Sequence, residues 1–201
     1  MSGAGVAALK RVLTELGPVS PAGLDAVAAL THEVQLAKGD YFARAGEHPR
    51  ALGFVLEGVL RAFLRSEDGR EYNKSFFLEG RFVVALTSVI SGEANRIDIQ
   101  ALTPVTLLSM DYAAFTALYD AHHDLERLAR RLVEFEWAAK EQREIALVLD
   151  DAASRYRRFQ REHPGLENRI PQYHVASYLG ITPIHLSRIR ARRDATSKPR
   201  F

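Results

Sequence analysis

The sequence contains no cysteine, which excludes disulfide bonds, cysteine-ligated iron–sulfur clusters and thiol redox switches. No stretch approaches the run of about 20 apolar residues that a membrane-spanning helix needs, and the first residues lack the apolar core of a signal peptide. No nucleophile elbow, metal-protease spacing or other catalytic constellation occurs. These absences predict a non-enzymatic, cytoplasmic protein with no membrane partner, no metal and no resident cofactor.

Charge is distributed unevenly along the 201 residues. Residues 1–150 carry 16 basic and 21 acidic side chains, a net charge of −5, whereas residues 151–201 carry 11 basic and 4 acidic side chains, a net charge of +7. The overall charge of +2 conceals this difference. A basic end on an acidic body indicates a polyanionic partner.

The basic end contains RIPQYHVASYLGITPIHLSRIRARR, residues 169–193, which predicts two short helices around a glycine turn. The first helix covers residues 171–178 with Pro171 at its first position, and Gly180 supplies the left-handed turn. Thr182 is the expected N-cap of the second helix, with Pro183 next. The inward residues are Ile181, Leu186 and Ile189, and the arginines left near solvent are Arg188, Arg190, Arg192 and Arg193. This is a helix-turn-helix, whose second helix enters the DNA major groove; the alternative, a solvated helix hairpin, is disfavoured by the charge asymmetry.

The first 110 residues predict a different organisation: two helices followed by short β-strands. Two helices open the chain, at residues 4–16 and from Pro21, capped by Ser20, to about residue 31. Short β-type runs separated by glycines then follow at residues 53–56, 59–65, 71–77, 97–101 and 105–110. Turns every 8–12 residues or so indicate an antiparallel sandwich or barrel. Asp68-Gly69 marks the clearest hairpin.

One of these runs alternates as a half-buried strand would. Its two sets are Leu60, Ala62 and Leu64, and Arg61, Phe63 and Arg65. This period of two predicts that the first set faces the core and the second faces solvent.

Beyond residue 111 the period becomes helical. Apolar residues recur in steps of three and four from Leu125 to Leu149, which predicts a coiled-coil seam. We expect a two-fold dimer through this seam, formed by Leu125, Leu128, Leu132, Phe135 and Ala139. The alternative is a helix packed lengthwise on its own barrel through Val133 and Trp137.

The order of these parts resembles the cyclic-AMP receptor protein/Fnr (Crp/Fnr) family of bacterial transcription regulators. KGDYFARAGEHPRALGFVLEGVLRAFL is similar to the family's opening β-roll, and VASYLGITPIHLSRIR to its helix-turn-helix. The resemblance implies an α+β protein with a double-stranded, jelly-roll-like β-roll sensor domain (1–120), a long dimerisation helix (121–149) and an all-α helix-turn-helix domain (150–201). It also implies double-stranded DNA, a second copy of the chain and RNA polymerase as partners.

By position in the family, bases would be read by Pro183, Ile184, His185, Ser187 and Arg188, and phosphates held by Thr182 and Gln172, with Arg190 and Arg192 farther along the helix. Arg188 is the strongest candidate because a guanidinium binds guanine O6 and N7 in bidentate fashion. Ile184 stands where many members place a cytosine-binding glutamate, so contact with a thymine methyl is expected instead. Only DATSKPRF follows Arg193, so the family's β-hairpin wing is expected to be missing and the basic tail to contact phosphate.

The resemblance also implies a cyclic-nucleotide site in which a Gly-Glu pair holds the ribose and an arginine the phosphate. Val84 and Ala85 stand at the Gly-Glu pair, and Asp98 follows near Arg96. We therefore expect cyclic AMP not to bind in the usual way. A pocket for an unidentified small-molecule effector would be lined by Phe82, Val83, Val84, Ala85, Leu86 and Arg96, unless side chains fill it or Arg96 lies on the surface.

The sequence thus predicts a dimeric, sequence-specific transcription regulator whose β-roll controls the placement of two recognition helices by population shift. The alternative is a small-molecule or cyclic-nucleotide-binding module with a degenerate DNA-binding domain.

Overall fold

The structure is a computed structural model that describes residues 3–197, with side chains described as far as residue 192. Eight strands form two four-stranded antiparallel sheets in the orders β1-β8-β3-β6 and β2-β7-β4-β5. The strands are β1 His32–Leu36, β2 Tyr41–Ala43, β3 Ala51–Glu57, β4 Leu60–Arg65, β5 Glu71–Phe77, β6 Phe82–Val84, β7 Asp98–Ala101 and β8 Val105–Asp111. The predicted β-roll is confirmed.

Helices precede, interrupt and follow the sheets. They are α1 Gly3–Leu16, α2 Pro21–Leu30, α3 Leu86–Ser91, α4 Tyr112–Ala117, α5 His123–Leu149, α6 Ala152–Glu162, α7 Gln172–Leu179 and α8 Pro183–Ser197, with 3-10 turns at Leu118–Asp120 and Leu166–Asn168. Within residues 3–197, no helix combines the length and apolar character that crossing a membrane requires.

Local signals account for several of these boundaries. The Ser20 hydroxyl caps α2 by accepting a hydrogen bond from the Gly23 backbone N–H at 3.2 Å. The β4–β5 hairpin turns where predicted, with Gly69 at a φ of 81°, a value that favours glycine. The pairing of Arg65 with Glu71 then sets the register of the hairpin.

Three apolar clusters hold the layers together. The first lies between the sheets and includes Val55, Leu60 and Leu107. The second covers the outer face of the β1-β8-β3-β6 sheet with α1, α2 and the start of α5. The third covers part of the other sheet, where Val59, Phe76 and Leu102 pack against residues of α6, α7 and α8. The helix-turn-helix region therefore shares a core with the β-roll.

This third cluster corrects the predicted alternation in β4. Leu60 and Ala62 are buried as expected, but Arg61 and Phe63 are also buried, and Leu64 is exposed. The second face of the strand is covered because the Arg61 guanidinium lies over the Phe63 ring and contacts His174 of α7. Apolar and polar residues alternate along a strand only where one face of the sheet is buried and the other meets water.

Three strands fall outside the predicted runs. β2 and β6 have three residues each, too few to show a period. β1 alternates between exposed and half-buried positions and contains no fully buried residue. Its pairing with β8, from His32 opposite Ser109 to Leu36 opposite Val105, places it at a sheet edge.

The long helix corrects the predicted seam. Leu125 and Leu128 are 0% and 4% exposed because they pack in their own chain's second cluster, so the prediction that they face a partner is wrong. Leu132 is half-buried, whereas Phe135 and Ala139 are exposed. The start of α5 does pack on its own barrel, as in the alternative, but not through Val133 and Trp137, which are exposed at 48% and 65%.

Candidate nucleic-acid interface

Helices α7 and α8 form the predicted helix-turn-helix. Gly180 ends α7 in the left-handed conformation with a φ of 67°, and the Ile181 N–H donates to the Ala176 carbonyl at 3.0 Å. The Thr182 hydroxyl then accepts the His185 N–H at 3.2 Å, which caps α8. Pro171 precedes the first helical residue instead of occupying it, a shift of one position.

Apolar anchors fix which face of α8 points outward. Leu186 is 1% exposed, and Ile181 and Ile189 pack partly buried against the third cluster. The residues predicted to meet base edges are all exposed: Pro183, Ile184, His185, Ser187 and Arg188. Ile184 is 67% exposed. The first two turns of α8 thus present one continuous accessible face.

Arg188 lies on this face without an ion pair or hydrogen bond to any residue the structure describes. Five guanidinium donors on an exposed, anchored helix are available for an external acceptor. Arg192 is also exposed, Arg190 is half-buried, and the side chain of Arg193 and the tail beyond residue 197 lie outside what the structure describes.

The two predicted phosphate contacts differ in exposure. Thr182 is exposed at the start of α8. Gln172 is half-buried: its side-chain amide donates to the Glu167 carbonyl at 2.8 Å, and its amide oxygen is buried without a protein partner in the described part of the chain. The Gln172 side chain is therefore partly committed inside the domain.

Two arginines of α6 have partners outside that helix. Arg155 donates to the Leu179 carbonyl at 3.0 Å and to the Asp150 carbonyl, and Arg158 donates to the Gln142 carbonyl at 3.1 Å. These bonds tie α6 to the end of α7 and to α5, so part of the positive charge counted in the sequence is structural.

A polar cluster behind α7 was missed by the sequence analysis. Arg61 is 5% exposed, and its Nη1 lies 2.6 Å from Glu71 Oε2, 3.2 Å from Asn73 Oδ1 and 3.2 Å from His174 Nδ1. Its Nη2 donates to Gln100 Oε1 at 2.8 Å. The signal in the sequence was weak: a histidine and a serine three residues apart, which lie on one side of α7 and contact β5.

The electrostatics of this cluster follow from burial and the Arg61 charge. Burial, and then the Arg61 charge, lower the pKa of His174 to about 4. Burial raises the pKa of Glu71, but hydrogen bonds and charge interactions with Arg61 and Arg65 outweigh it and leave that pKa lowered. His174 is therefore neutral and Glu71 ionised near neutral pH.

The residues of the predicted effector pocket are mostly packed. Val83 and Ala85 belong to the core between the sheets, with exposures of 0% and 7%. The Phe82 ring lies 5.2 Å from the Phe54 ring, and Val84 also packs on the second cluster. Leu86 is half-buried at the start of α3, and Arg96 is exposed.

The side chains at these positions lack the ribose acceptor that the resemblance leads one to expect of a cyclic-nucleotide site. Ala85 provides no acceptor for a ribose hydroxyl, and the exposed Arg96 is a surface side chain. Asn95 is buried and donates to the carbonyls of Arg44 and Ile97, while Asp98 is 9% exposed and accepts the Ala45 N–H at 3.0 Å. The side chains of Asn95 and Asp98 are therefore engaged in bonds within the β-roll.

Across residues 3–197, no group of three or more histidine, aspartate or glutamate side chains is arranged to hold a metal ion.

Comparisons with known proteins agree with this geometry. Residues 33–122 match the family model of the cyclic nucleotide-binding domain. The sequence matches no curated protein significantly. Among solved structures, FixK2 from Bradyrhizobium japonicum has a TM-score of 0.72 and 17% identity, covering 85% of this chain and 88% of that one.

Two further structures are similar over most of their length. A CooA mutant from Carboxydothermus hydrogenoformans has a TM-score of 0.67 and 18% identity, covering 85% of this chain and 79% of that chain. A protein from Eubacterium rectale, described as a transcriptional regulator of the Crp/Fnr family, has a TM-score of 0.67 and 14% identity, covering 91% and 87%.

The fold is a β-roll followed by a long helix and a helix-turn-helix. Residues 33–122 match the family model of the cyclic nucleotide-binding domain, and most of the chain has the fold of these Crp/Fnr structures. The resemblance predicted from the sequence is confirmed.

Proposed function

We propose that this protein is a homodimeric, sequence-specific DNA-binding transcription regulator of the Crp/Fnr type. The observation that carries the proposal is the exposed first half of α8. Thr182 fixes its start, Leu186 anchors its inner face, and Arg188 projects outward with no internal partner among the described residues. A major groove admits such a helix and offers guanine O6 and N7 to a guanidinium.

Each exposed position then has a role. Arg188 would bind a guanine, and Ile184 would contact a thymine methyl, because an aliphatic side chain cannot accept from cytosine. Thr182 and Arg192 would contact phosphates, which add affinity without sequence preference. Backbone N–H groups in the first turn of α7 would bind phosphate more readily than the Gln172 side chain, because the Gln172 amide is already bonded to Glu167.

Charge supports the same assignment. The net charge of +7 in residues 151–201 attracts a polyanion, and the net charge of −5 in residues 1–150 repels it. Approaching DNA would therefore be oriented towards the helix-turn-helix, so that encounters favour the surface that reads bases.

The dimer would form through a stripe on α5 that faces away from the chain's own core. Val133, Trp137 and Val148 are 48%, 65% and 82% exposed, and at about 100° per residue they lie within roughly 60° of one another. Leu128 and Ala146, which pack inward, lie on the opposite side of the helix. Glu144 lies within the same stripe between Trp137 and Val148, so the stripe is mixed, and its three exposed apolar side chains are suited to contact with a second copy of the same helix.

The β-roll would act without a cyclic nucleotide bound in the usual way. We propose RNA polymerase as a partner and the cytoplasm as the location on the basis of the resemblance to the family. An unidentified effector, if the protein uses one, would need a site other than the packed space around Val83 and Ala85.

Selection of genomic fragments by the purified full-length protein tests the proposal. We expect enrichment of a motif with two inverted half-sites, each containing a G·C pair that loses its preference in Arg188→Ala. Binding that heparin competes away equally on all sequences would contradict the proposal and support the alternative of a degenerate DNA-binding domain.

A further inference from the structure

The helix-turn-helix region is joined to its own β-roll by bonds that reach the backbone of α7. The Asn73 N–H donates to the Ser177 hydroxyl at 2.9 Å, and that hydroxyl donates to the Glu71 carbonyl at 2.9 Å. The Asn73 side-chain amide donates to the His174 carbonyl at 2.9 Å. Strand β5 thus holds two successive turns of α7, and we call this contact the β5–α7 joint.

Arg61 fixes the joint from the sheet side. Its guanidinium bridges Glu71, Asn73 and Gln100 on β5 and β7 to His174 on α7, with the plane stacked 3.7 Å from the centroid of the Phe63 ring. Because the guanidinium is planar and donates hydrogen bonds in several directions, it can rotate little without breaking one of them. If α7 shifted along β5, these buried acceptors would lose their hydrogen bonds to Arg61.

Arg143 fixes the same joint from the long helix. Its Nη2 donates to the Tyr178 carbonyl at 2.8 Å, the Tyr72 hydroxyl at 2.9 Å and the Asn73 carbonyl at 3.3 Å. The guanidinium also lies 4.2 Å from the centroid of the Tyr178 ring. One side chain of α5 therefore contacts both β5 and the end of α7.

A third connection lies at the other end of the domain. Arg169 forms a bidentate ion pair with Glu79, at 2.6 and 2.9 Å, and Glu79 also accepts the Gly58 N–H at 2.8 Å. Between the polar contacts, Phe76 of β5 lies 5.3 Å from the Tyr178 ring and 6.2 Å from the Phe159 ring.

The consequence concerns α8. Only Gly180, Ile181 and Thr182 separate the end of α7 from α8, and backbone bonds hold that turn. Holding α7 in place therefore also holds α8 and its exposed face in place. In a dimer through α5, the distance between two recognition helices would be determined by how each α7 is held on α5 and β5.

We propose that Arg61 and Arg143 are positioning residues that set the half-site spacing this protein accepts, a role that rests on the DNA-binding function proposed above. They contact no base. One added base pair moves a half-site by roughly 3.4 Å and rotates it by roughly 35°. A joint with this many directional bonds resists that displacement, so the wild-type protein requires one spacing.

The test is selection from a DNA library in which two copies of the preferred half-site are separated by every spacing from zero to twelve base pairs. We expect the wild-type protein to prefer one spacing over its neighbours by about tenfold or more, comparable to the cost of a mismatched base pair. Arg61→Met and Arg143→Met should reduce that preference to about threefold or less while leaving the half-site sequence unchanged.

Arg70→Met is the matched control, because Arg70 is an exposed arginine on the β4–β5 hairpin whose side chain pairs with Asp68 and with no other residue that the structure describes. It removes the same charge and should keep the wild-type spacing profile. If the arginine variants do not fold, Ser177→Ala, which removes one hydroxyl from the joint, should broaden the profile instead.

Two outcomes separate the proposals. A folded Arg61→Met or Arg143→Met variant with the wild-type spacing profile overturns the positioning role and leaves the DNA-binding function intact. A wild-type protein that selects no half-site at all overturns the DNA-binding function, and the positioning role falls with it.

Discussion

The guanidinium of Arg61 on β4 lies 3.2 Å from Nδ1 of His174 on α7, between two parts of the chain that sequence alone would assign to separate domains. A guanidinium can only donate hydrogen bonds, so Nδ1 must accept and His174 must be the neutral tautomer protonated at Nε2. Asn73 Nδ2 lies 3.2 Å from the same nitrogen. A proton on Nδ1 would face two donors and a positive charge.

This arrangement predicts a loss of stability in mild acid. Burial lowers the pKa of His174 and of His163 to about 4, from an ordinary value of 6.5. Between pH 6.5 and 4 the unfolded chain binds protons that the folded protein excludes. The free energy of unfolding therefore falls with decreasing pH, by up to about 1.4 kcal/mol per pH unit for each histidine, and is unaffected by them above pH 6.5.

Urea unfolding at pH 7 and pH 5 measures this dependence. His163→Phe keeps a ring against Phe76 and Phe159 and should shrink the difference between the two pH values. His123→Gln, which removes an exposed histidine, should leave the difference unchanged. A wild-type protein equally stable at both pH values would contradict the prediction.

Base readout should depend on one arginine of α8. Arg188→Ala should weaken binding to the selected operator by roughly ten- to a hundredfold, since a bidentate guanine contact is worth about 1–3 kcal/mol, and should leave binding to random DNA nearly unchanged. The measurement is a salt titration of binding on both DNAs.

Arg192→Ala is the comparison for Arg188. It should weaken binding to operator and random DNA alike and lower the salt slope by about one phosphate contact per protomer. An equal loss of both affinities in Arg188→Ala would show that Arg188 contacts only the DNA backbone.

Self-association should depend on the outward face of α5. Trp137→Glu should convert a dimer into a monomer in sedimentation velocity, because it replaces the largest exposed apolar side chain of the stripe by a charge. Phe135→Glu is the matched change on the face predicted from the sequence, and Phe135 is also exposed at 61%. If Phe135→Glu dissociates the protein and Trp137→Glu does not, the seam of Phe135 and Ala139 is the interface.

Cyclic AMP should bind weakly or not at all. The ribose acceptor is replaced by buried Ala85, and losing a charge-assisted hydrogen bond costs about 1.5–3 kcal/mol, or roughly ten- to a hundredfold in affinity. Calorimetry of the full-length protein should give no binding at micromolar nucleotide. Submicromolar binding that disappears in Arg96→Ala would show instead that a phosphate site survives.

Much of the helix-turn-helix could be predicted because its signals are local. Gly180 is required by backbone sterics, Thr182 caps with its own side chain, and Leu186 and Ile189 follow the helical period. The same holds for the Ser20 cap and the Asp68-Gly69 hairpin. Each depends on residues within a few positions in the chain, so the amino-acid types carry the information directly.

The candidate site was predicted less completely. Exposure of the residues from Thr182 to Arg188 agrees with their predicted role, whereas Gln172 is partly committed to Glu167. The polar joint of Arg61, Asn73 and His174 joins positions about 100 residues apart, and no short-range pattern marks such a pair.

The sequence by itself determined the elements: a β-roll, a long helix and a capped helix-turn-helix, in that order, with a basic end. Only the tertiary structure decided what covers each element. The apolar residues of α5 fall on more than one side, and the period alone does not say that Leu128 faces inward and Trp137 outward. Likewise, the sequence pattern places Arg61 on the solvent face, whereas packing of α7 against the sheet buries it. Burial depends on which surfaces meet, and that is settled by contacts between distant parts of the chain.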